Sequence, residues 1–372
     1  MLKIGFIVNP VAGIGGKVGL KGSDGEQIIK LALSLGAQPE SSNKAKAALE
    51  QLEIIKRQIE IYTYPNEMGE DVATSCGFST SVFGQIISGA TKPVDTKKAA
   101  REFLDAGADI ILFAGGDGTA RNILDAVGDA VPVLGIPTGC KIHSAVYALN
   151  PRRAGELIIK ICEGKIKQYR EAEVMDIDEE LFRQDRVQAK LYGYLKVPVE
   201  KNLVQTMKSG RSKSEDAEVS QMAGYIAHSM ERDKLYIIGP GSTTRAIMDE
   251  LNLKNTLLGV DLVCNKKVIA NDAAEKDIIE KLDTYSKAEI IVTIIGGQGF
   301  VFGRGNQQLS ARVIRRAGKE NITIVSSKDK LLSLIGQSLY VDTGDEDTNE
   351  YLCGYYKVVV GYEDYVMFKM TS

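Results

Sequence analysis

Gly115-Gly116-Asp117-Gly118-Thr119 sets a carboxylate and a hydroxyl inside a glycine turn. Glycines let backbone N–H groups close on a phosphate, and a helix start adds positive potential for an anion. A carboxylate in the same turn can hold a metal or take a proton from a hydroxyl, so Asp117 is the candidate for chemistry. Two more stretches share the texture. Asn9-Pro10-Val11-Ala12-Gly13-Ile14-Gly15-Gly16-Lys17 is glycine-rich, but Val18 stands where a Walker loop needs Ser or Thr. The other is Pro137-Thr138-Gly139-Cys140-Lys141-Ile142-His143-Ser144. His143 and His228 are the only histidines, and the five cysteines lack Cys-x-x-Cys spacing. Zinc sites, disulfide frameworks and Ser-His-Asp chemistry therefore have little to draw on. His143 reads as a helix-start or packing histidine rather than a base. Carboxylates, backbone amides and a borrowed metal ion are left to carry any reaction.

Each of these loops follows an apolar run that reads as a buried strand: residues 3–8, 110–114 and 132–136. Residues 120–127 have amphipathic helical spacing, with Thr119 available as a cap. Helices are also expected at 26–35, 45–52, 68–76, 94–106, 144–149 and 154–162, and strands within 54–62 and 81–87. Strands alternating with helices imply a mostly parallel sheet, whose loops gather at the carboxyl ends of the strands. The loops at 9–25, 115–119 and 137–141 would then share one rim, where open α/β sheets bind ligands.

Near Gly164 the texture changes. Residues 168–200 alternate in charge and polarity like exposed antiparallel strands, and 201–218 read as solvated loop. The α/β rhythm then returns. A strand at 234–238 leads into Gly239-Pro240-Gly241-Ser242-Thr243-Thr244 and a helix at 245–251, again a plausible phosphate or ribose cradle. A strand at 257–264, a helix at 273–285 and a strand at 289–295 follow. The last ends in Gly296-Gly297-Gln298-Gly299 and runs on to Gly305-Asn306-Gln307-Gln308, whose side-chain amides suit a base or ribose. A helix at 311–317, a strand at 322–326 and a short helix at 331–335 precede strands at 339–341 and 355–368, parted by an acidic turn at 342–350.

With 372 residues, 44% apolar and 26% charged, the chain has material for two domains, divided here into 1–165 and 166–372. A net charge of −3 argues against a general nucleic-acid partner. No apolar run reaches the ~18–20 residues that span a bilayer. The chain begins directly on a strand, without a signal-peptide pattern. A cytoplasmic protein with no membrane partner is expected.

Gly-Gly-Asp-Gly-Thr after a buried strand resembles the signature of the superfamily of NAD kinases, diacylglycerol and sphingosine kinases and 6-phosphofructokinases. Asn9-Pro10 with its glycine loop, and Gly135-Ile136-Pro137-Thr138-Gly139, look like that superfamily's other two N-terminal loops. The Gly241-Ser242-Thr243 turn is similar to that of NAD kinases. The segment from Gly296 to Gln308 looks like the divergent AcoX-like branch of the ATP-NAD kinase family. The resemblance implies an α/β fold: an N-terminal parallel-sheet nucleotide-kinase domain, then a domain mixing antiparallel strands with α/β units. It implies that Asp117 activates the adenosine 2′-hydroxyl of NAD, with ATP as phosphoryl donor and Mg²⁺ held through the donor's phosphates rather than by a protein metal site. Asn9, Gly13, Gly115, Gly116, Gly118, Thr119, Thr138, Gly139 and Lys141 would hold phosphate and nucleotide. Asn122, Gly241, Ser242, Thr243, Thr244, Gly297, Gln298 and Asn306 would hold the dinucleotide. A homo-oligomer is implied as well. Two features differ from typical NAD kinases: Glu171-Ala172-Glu173 stands where an Asn-Glu pair is usual, and residues 234–326 alternate strand and helix instead of being β-rich. Both bear on the acceptor more than on phosphoryl transfer. A lipid or small polyol acceptor, or a non-catalytic dinucleotide-binding regulator, are the alternatives.

Overall fold

The computed structural model describes residues 1–20, 26–139, 142–177, 189–200, 213–295, 298–334 and 337–372. The chain divides into two compact units. One holds Met1–Ile14 and most of the chain from Gly22 to Met207; the other holds Gly15–Lys21 and Lys208–Ser372.

The first unit is built on β1 (Leu2–Val8), β2 (Ile59–Thr63), β3 (Thr80–Val82), β4 (Ile110–Gly115) and β5 (Val133–Pro137). They pair in the order β3-β2-β1-β4-β5, every pair parallel. A parallel sheet is covered on both faces, which is why these strands are near-continuous apolar runs. Alternate side chains go to opposite sides. Ile4, Phe6, Leu112 and Leu134 pack with Ala45, Leu49, Leu157 and Ile158 of α2 (Ser41–Glu50) and α6 (Pro151–Cys162). Ile7, Ile111, Phe113 and Val133 pack with Ala99, Phe103, Ala120 and Ile123 of α4 (Pro93–Asp105) and α5 (Asp117–Val127). Burying one such side chain contributes about 1.5–3 kcal/mol. The remaining helices are α1 (Glu26–Ser34) and the short α3 (Glu70–Ser75). From β1 the chain moves on to β2, and from β4 to β5, in opposite directions along the sheet. The carboxyl ends of β1 and β4 therefore flank a topological switch point, where α/β sheets open a ligand crevice.

An antiparallel ribbon, β6 (Tyr169–Ile177) with β7 (Ala189–Pro198), lays Ala172, Val174, Leu195 and Val197 into the same core as α4 and α5. Three expectations for this unit need correction. Residues 54–58 continue a 3₁₀ helix (Gln51–Gln58) instead of starting a strand. The strand expected over 81–87 is only the three residues of β3. The helix expected at 144–149 does not form, because that backbone is taken by its neighbours. Gly135 N donates to Val146 O at 2.9 Å, Ala148 N to Gly135 O at 2.9 Å, and Ala145 N to Glu173 O at 2.8 Å.

The second unit contains β8 (Leu235–Ile238), β9 (Asp261–Cys264), β10 (Lys267–Ala270), β11 (Ala288–Thr293), β12 (Phe300–Phe302), β13 (Ile322–Val325), β14 (Leu339–Val341), β15 (Gly354–Gly361) and β16 (Asp364–Thr371). Their order is β10-β9-β8-β11-β13-β15-β16-β14-β12. Its centre, β8-β11-β13-β15, is parallel, while β9 and β10 pair antiparallel and β16 pairs antiparallel with β15 but parallel with β14. The expected mixture of antiparallel strands with α/β units is present. The solvated loop expected over 201–218 gives way, from Lys213, to α7 (Lys213–Ser229). Val219, Met222, Ala223 and Ile226 form its apolar stripe, packed with Ile247 and Met248 of α8 (Ser242–Glu250) on Tyr236, Ile238 and Val263 of the sheet. Further helices are α9 (Glu275–Thr284), α10 (Ala311–Ala317), α11 (Lys328–Leu332) and α12 (Glu346–Leu352). The last occupies much of the expected acidic turn, started by Asp345, whose carboxylate accepts from Thr348 N at 2.8 Å. Among the described residues no helix is long and apolar enough to cross a membrane.

Candidate functional site

At the rim of the first unit the three glycine loops touch. A Cβ on Gly13 would stand 2.0 Å from Thr138 O, and one on Gly139 would stand 2.8 Å from Gly116 Cα. Thr138 N and Gly139 N donate to Gly115 O at 3.1 and 3.2 Å, and Asn9 N donates to Ala114 O at 2.9 Å. Asn9, Gly13, Gly115, Gly116, Thr119, Thr138 and Gly139 are thus gathered at the carboxyl ends of β1, β4 and β5. Lys141 lies outside the described residues.

Thr119 is not the helix cap expected of it. Helix α5 begins two residues earlier, at Asp117, with Gly116 in the capping position. Thr119 is buried inside its first turn, where its Oγ1 accepts from Asn9 Nδ2 at 2.9 Å. Asn9 Oδ1 in turn accepts from Val11 N at 3.3 Å, so the first loop is latched to the second. Thr138 is 5% exposed, and its Oγ1 has no hydrogen-bond partner among the described residues. A buried hydroxyl without a partner is costly unless a ligand satisfies it.

Asp117 opens α5, and both its oxygens accept backbone N–H groups: Oδ2 from His143 at 2.8 Å, Oδ1 from Ser144 at 3.0 Å. The His143 ring lies alongside, with Nδ1 3.6 Å from Oδ2, and the two side chains are 11% and 12% exposed. The 142–148 segment that presents these amides is itself held from two sides. Gly135 has no side chain, which admits the Tyr147 ring where a Cβ would stand 2.3 Å from it, and Ser144 Oγ accepts from Met175 N at 2.9 Å. His143, Ser144 and Gly135 were not among the expected site residues. They lie in stretches the sequence does single out, but nothing local shows that they hold a carboxylate 18–27 positions away. Each carboxylate oxygen keeps a lone pair beyond its amide bond. Gly118 follows Asp117 in the helix, and Asn122, half-buried, stands one turn further on.

The second unit has a rim of the same construction. The Gly239–Thr244 turn follows β8, the segment from Ile294 follows β11, and Ser326-Ser327 follows β13, on three adjacent parallel strands. Gly241 caps α8 at φ 133°, with no side chain satisfying the helix start. Ser242 is exposed, and Thr243 and Thr244 are buried. Thr244 Oγ1 donates to Gly241 O at 2.9 Å, and Lys330 Nζ donates to Thr243 Oγ1 at 2.7 Å. Gln298 is buried, with no partner for Nε2 among the described residues. Asn306 is buried, and its amide is engaged within its own loop, with Gly303 N at 3.0 Å and Val301 O at 2.8 Å. Gly297 lies outside the described residues.

Among the described residues no group of three or more carboxylates, cysteines or histidines is placed to hold a metal ion. In the first unit's rim the chemistry-bearing group is one carboxylate, set among backbone amides and hydroxyls. Glycine turns with backbone amides and hydroxyls at such a rim suit phosphorylated ligands. The chain matches the ATP-NAD kinase N-terminal domain over residues 4–166 and the ATP-NAD kinase C-terminal domain over residues 232–370. It belongs to the ATP-NAD kinase family, and with that to phosphotransferases. A search of curated proteins returned no match.

Proposed function

We propose that the chain is an NAD kinase, moving a phosphoryl group from ATP or another donor to the adenosine 2′-hydroxyl of NAD to give NADP. The observation that carries this reading is the Asp117 carboxylate, fixed by two backbone amides at the switch point of a parallel sheet, in a chain of this family. Phosphoryl transfer asks little covalent work of a protein: positioning, neutralised charge and a path for the nucleophile's proton.

In this reading the 2′-hydroxyl oxygen attacks the donor's terminal phosphorus as the bridging P–O bond breaks, and its proton passes to Asp117. Two amide hydrogen bonds hold the carboxylate at the angle it needs, so little reorganisation accompanies the transfer. Gly115, Gly116, Gly118, Thr119, Thr138 and Gly139, with Asn9 and Gly13, are assigned to the donor's phosphates. The orphaned Thr138 hydroxyl is the one most plainly built for an acceptor oxygen. Mg²⁺, bound to the donor's phosphates with Asp117 as the acidic side chain at hand, would spread the charge on the transferred group. Asn122, Gly241, Ser242, Thr243, Thr244 and Gln298 are assigned to the dinucleotide.

Incubation with Mg²⁺, ATP and NAD, scored for NADP, tests the proposal. Formation of NADP supports it. Turnover on a lipid or polyol alcohol but not on NAD would replace the acceptor, and saturable NAD binding without turnover would make the chain a regulator.

A further inference from the structure

We infer that the β6–β7 ribbon positions the reacting carboxylate, and that it acts through the Ser144 hydroxyl, which makes Ser144 a positioning residue. Such a role deepens the proposed function, and rests on it in taking Asp117 as the group that reacts.

The ribbon is tied to helix α5 at both of its ends. At the helix start the tie runs through Ser144, which is fully buried and whose N–H is one of the two that hold Asp117. Two hydrogen bonds with β6 aim that N–H, one to the serine's own side chain and one from its neighbour. Met175 N donates to Ser144 Oγ at 2.9 Å, and Ala145 N donates to Glu173 O at 2.8 Å. The first bond sits at an irregularity of the ribbon. Val174 pairs with Gly193 but Met175 with Leu191, so Tyr192 is an extra residue on β7. Such a bulge interrupts the ladder and bends its strand, and opposite this one Met175 N bonds a side chain outside the ribbon. The bulged residue makes the tie to the other end of α5. Tyr192 OH donates to Asp125 Oδ1 at 2.8 Å, a carboxylate that Lys97 of α4 also holds. Beside it Gly193 lets the ribbon close on the helix, since a Cβ there would stand 2.7 Å from Leu124 Cδ2. Covering the core takes only the side chains of Ala172, Val174, Leu195 and Val197. The bulge, the buried hydroxyl and the tyrosine go beyond cover, and all three fix α5 and its first carboxylate against β6.

Kinetics of NADP formation and amide hydrogen exchange, measured on the same full-length proteins, test this. Ser144→Ala keeps the N–H that Asp117 accepts and removes only the hydroxyl. It should lower kcat by ~10–100-fold, the cost of misplacing a reacting group by about 1 Å, with KM for NAD and ATP within about threefold. Exchange of the His143 and Ser144 amides should quicken, because the segment that carries them is loosened. In a chain carrying Asp117→Ala there is no carboxylate to position, so the loss from Ser144→Ala should not add to the loss from Asp117. Tyr192→Phe, at an exposed position, should lower kcat by about two- to fivefold, and keeps the test alive if the buried variant fails to fold. An unchanged kcat in both variants, or the same loss with and without Asp117, would overturn the inference and leave the ribbon as cover. No NADP from the unaltered chain would remove the kinase reading. Faster exchange in Ser144→Ala would then still show the ribbon holding Asp117, and unchanged exchange would overturn that as well.

Discussion

The rim above β1, β4 and β5 and the rim above β8, β11 and β13 use the same parts: parallel strands, glycine turns, helix starts and a buried hydroxyl that lacks a hydrogen-bond partner among the described residues. They differ in charge. The first holds Asp117, clasped by the amides of His143 and Ser144; the second holds Lys330, bonded to Thr243, and no acid in the first turn of its helix. A bare carboxylate opposes a phosphate by simple Coulomb repulsion. A site built only to bind would do better without Asp117, whereas a site that must take a proton or share a metal needs it. In the proposed reading, the glycine turns would serve anions in both rims, and Asp117 would separate reacting from holding.

Substitutions of the two special glycines probe how rigid each rim is, and carry the largest expected effects on stability. An alanine Cβ at Gly13 would meet a backbone oxygen, which cannot swing away, while at Gly241 it would meet the tip of a threonine side chain. Gly13→Ala should therefore cost roughly 2–4 kcal/mol, the sum of a left-handed backbone and overpacking. Gly241→Ala should cost less, about 1–3 kcal/mol, because Thr293 can turn. Thermal unfolding of the two variants side by side checks the order; equal losses would mean that the rims are equally stiff.

The charge contrast is sharpened by Lys330→Met in the active chain. Lys330 donates to Thr243, which the proposed reading assigns to the dinucleotide, so its loss should raise KM for NAD by ~10-fold and leave kcat within about threefold. A fall in kcat with KM unchanged would place Lys330 with Asp117 rather than opposite to it.

The latch between the first two loops is next. Thr119→Val removes the acceptor of the Asn9 amide and should cost about 1–2 kcal/mol, with a coupling to Asn9→Ala of about 1 kcal/mol in a double-mutant cycle. Additive losses in denaturant unfolding would show that the loops are held by packing alone.

The smallest effect concerns α12 of the second unit. The Thr348 hydroxyl and N–H hold the Asp345 carboxyl below the usual carboxylate range. A depressed folded pKa means that this stabilisation is complete above the unfolded value of ~3.9 and is lost as pH falls through the lower, folded one. Asp345→Ala should cost about 1 kcal/mol at pH 7, with the gap to the unaltered chain narrowing below pH ~4. A gap independent of pH would remove the carboxylate from the cap.

The sequence reveals what is local and hides what is not. Strand, glycine turn and helix are read from neighbouring residues, so β1, β4, β5 and their loops were expected where they stand, and Asp117 with them. Thr119 was expected to cap its own helix because that is the local use of threonine; its actual partner, Asn9, is 110 residues away. The segment 144–149 has helical spacing but is captured by Gly135 and Glu173, a tertiary pairing that outweighs propensity. The stripe of α7 begins only at Val219, behind a polar stretch that dominated the local reading. Thr293 and Lys330 carry no motif at all. Only the order of parallel strands puts a residue ending β11 and one beyond β13 against the turn after β8.

The central claim is that Asp117 serves the reaction, beyond tying two loops together. Single-turnover formation of NADP at saturating Mg²⁺, ATP and NAD, compared between the unaltered chain and Asp117→Asn, tests it most directly. Because the asparagine turns an NH₂ toward one of the two amides, thermal unfolding and NAD affinity are measured on the same samples. The account predicts a rate constant lower by ~10²–10⁴-fold with NAD still bound, the usual worth of a general base. A rate within a few-fold of the unaltered chain would contradict it and leave Asp117 as a clasp.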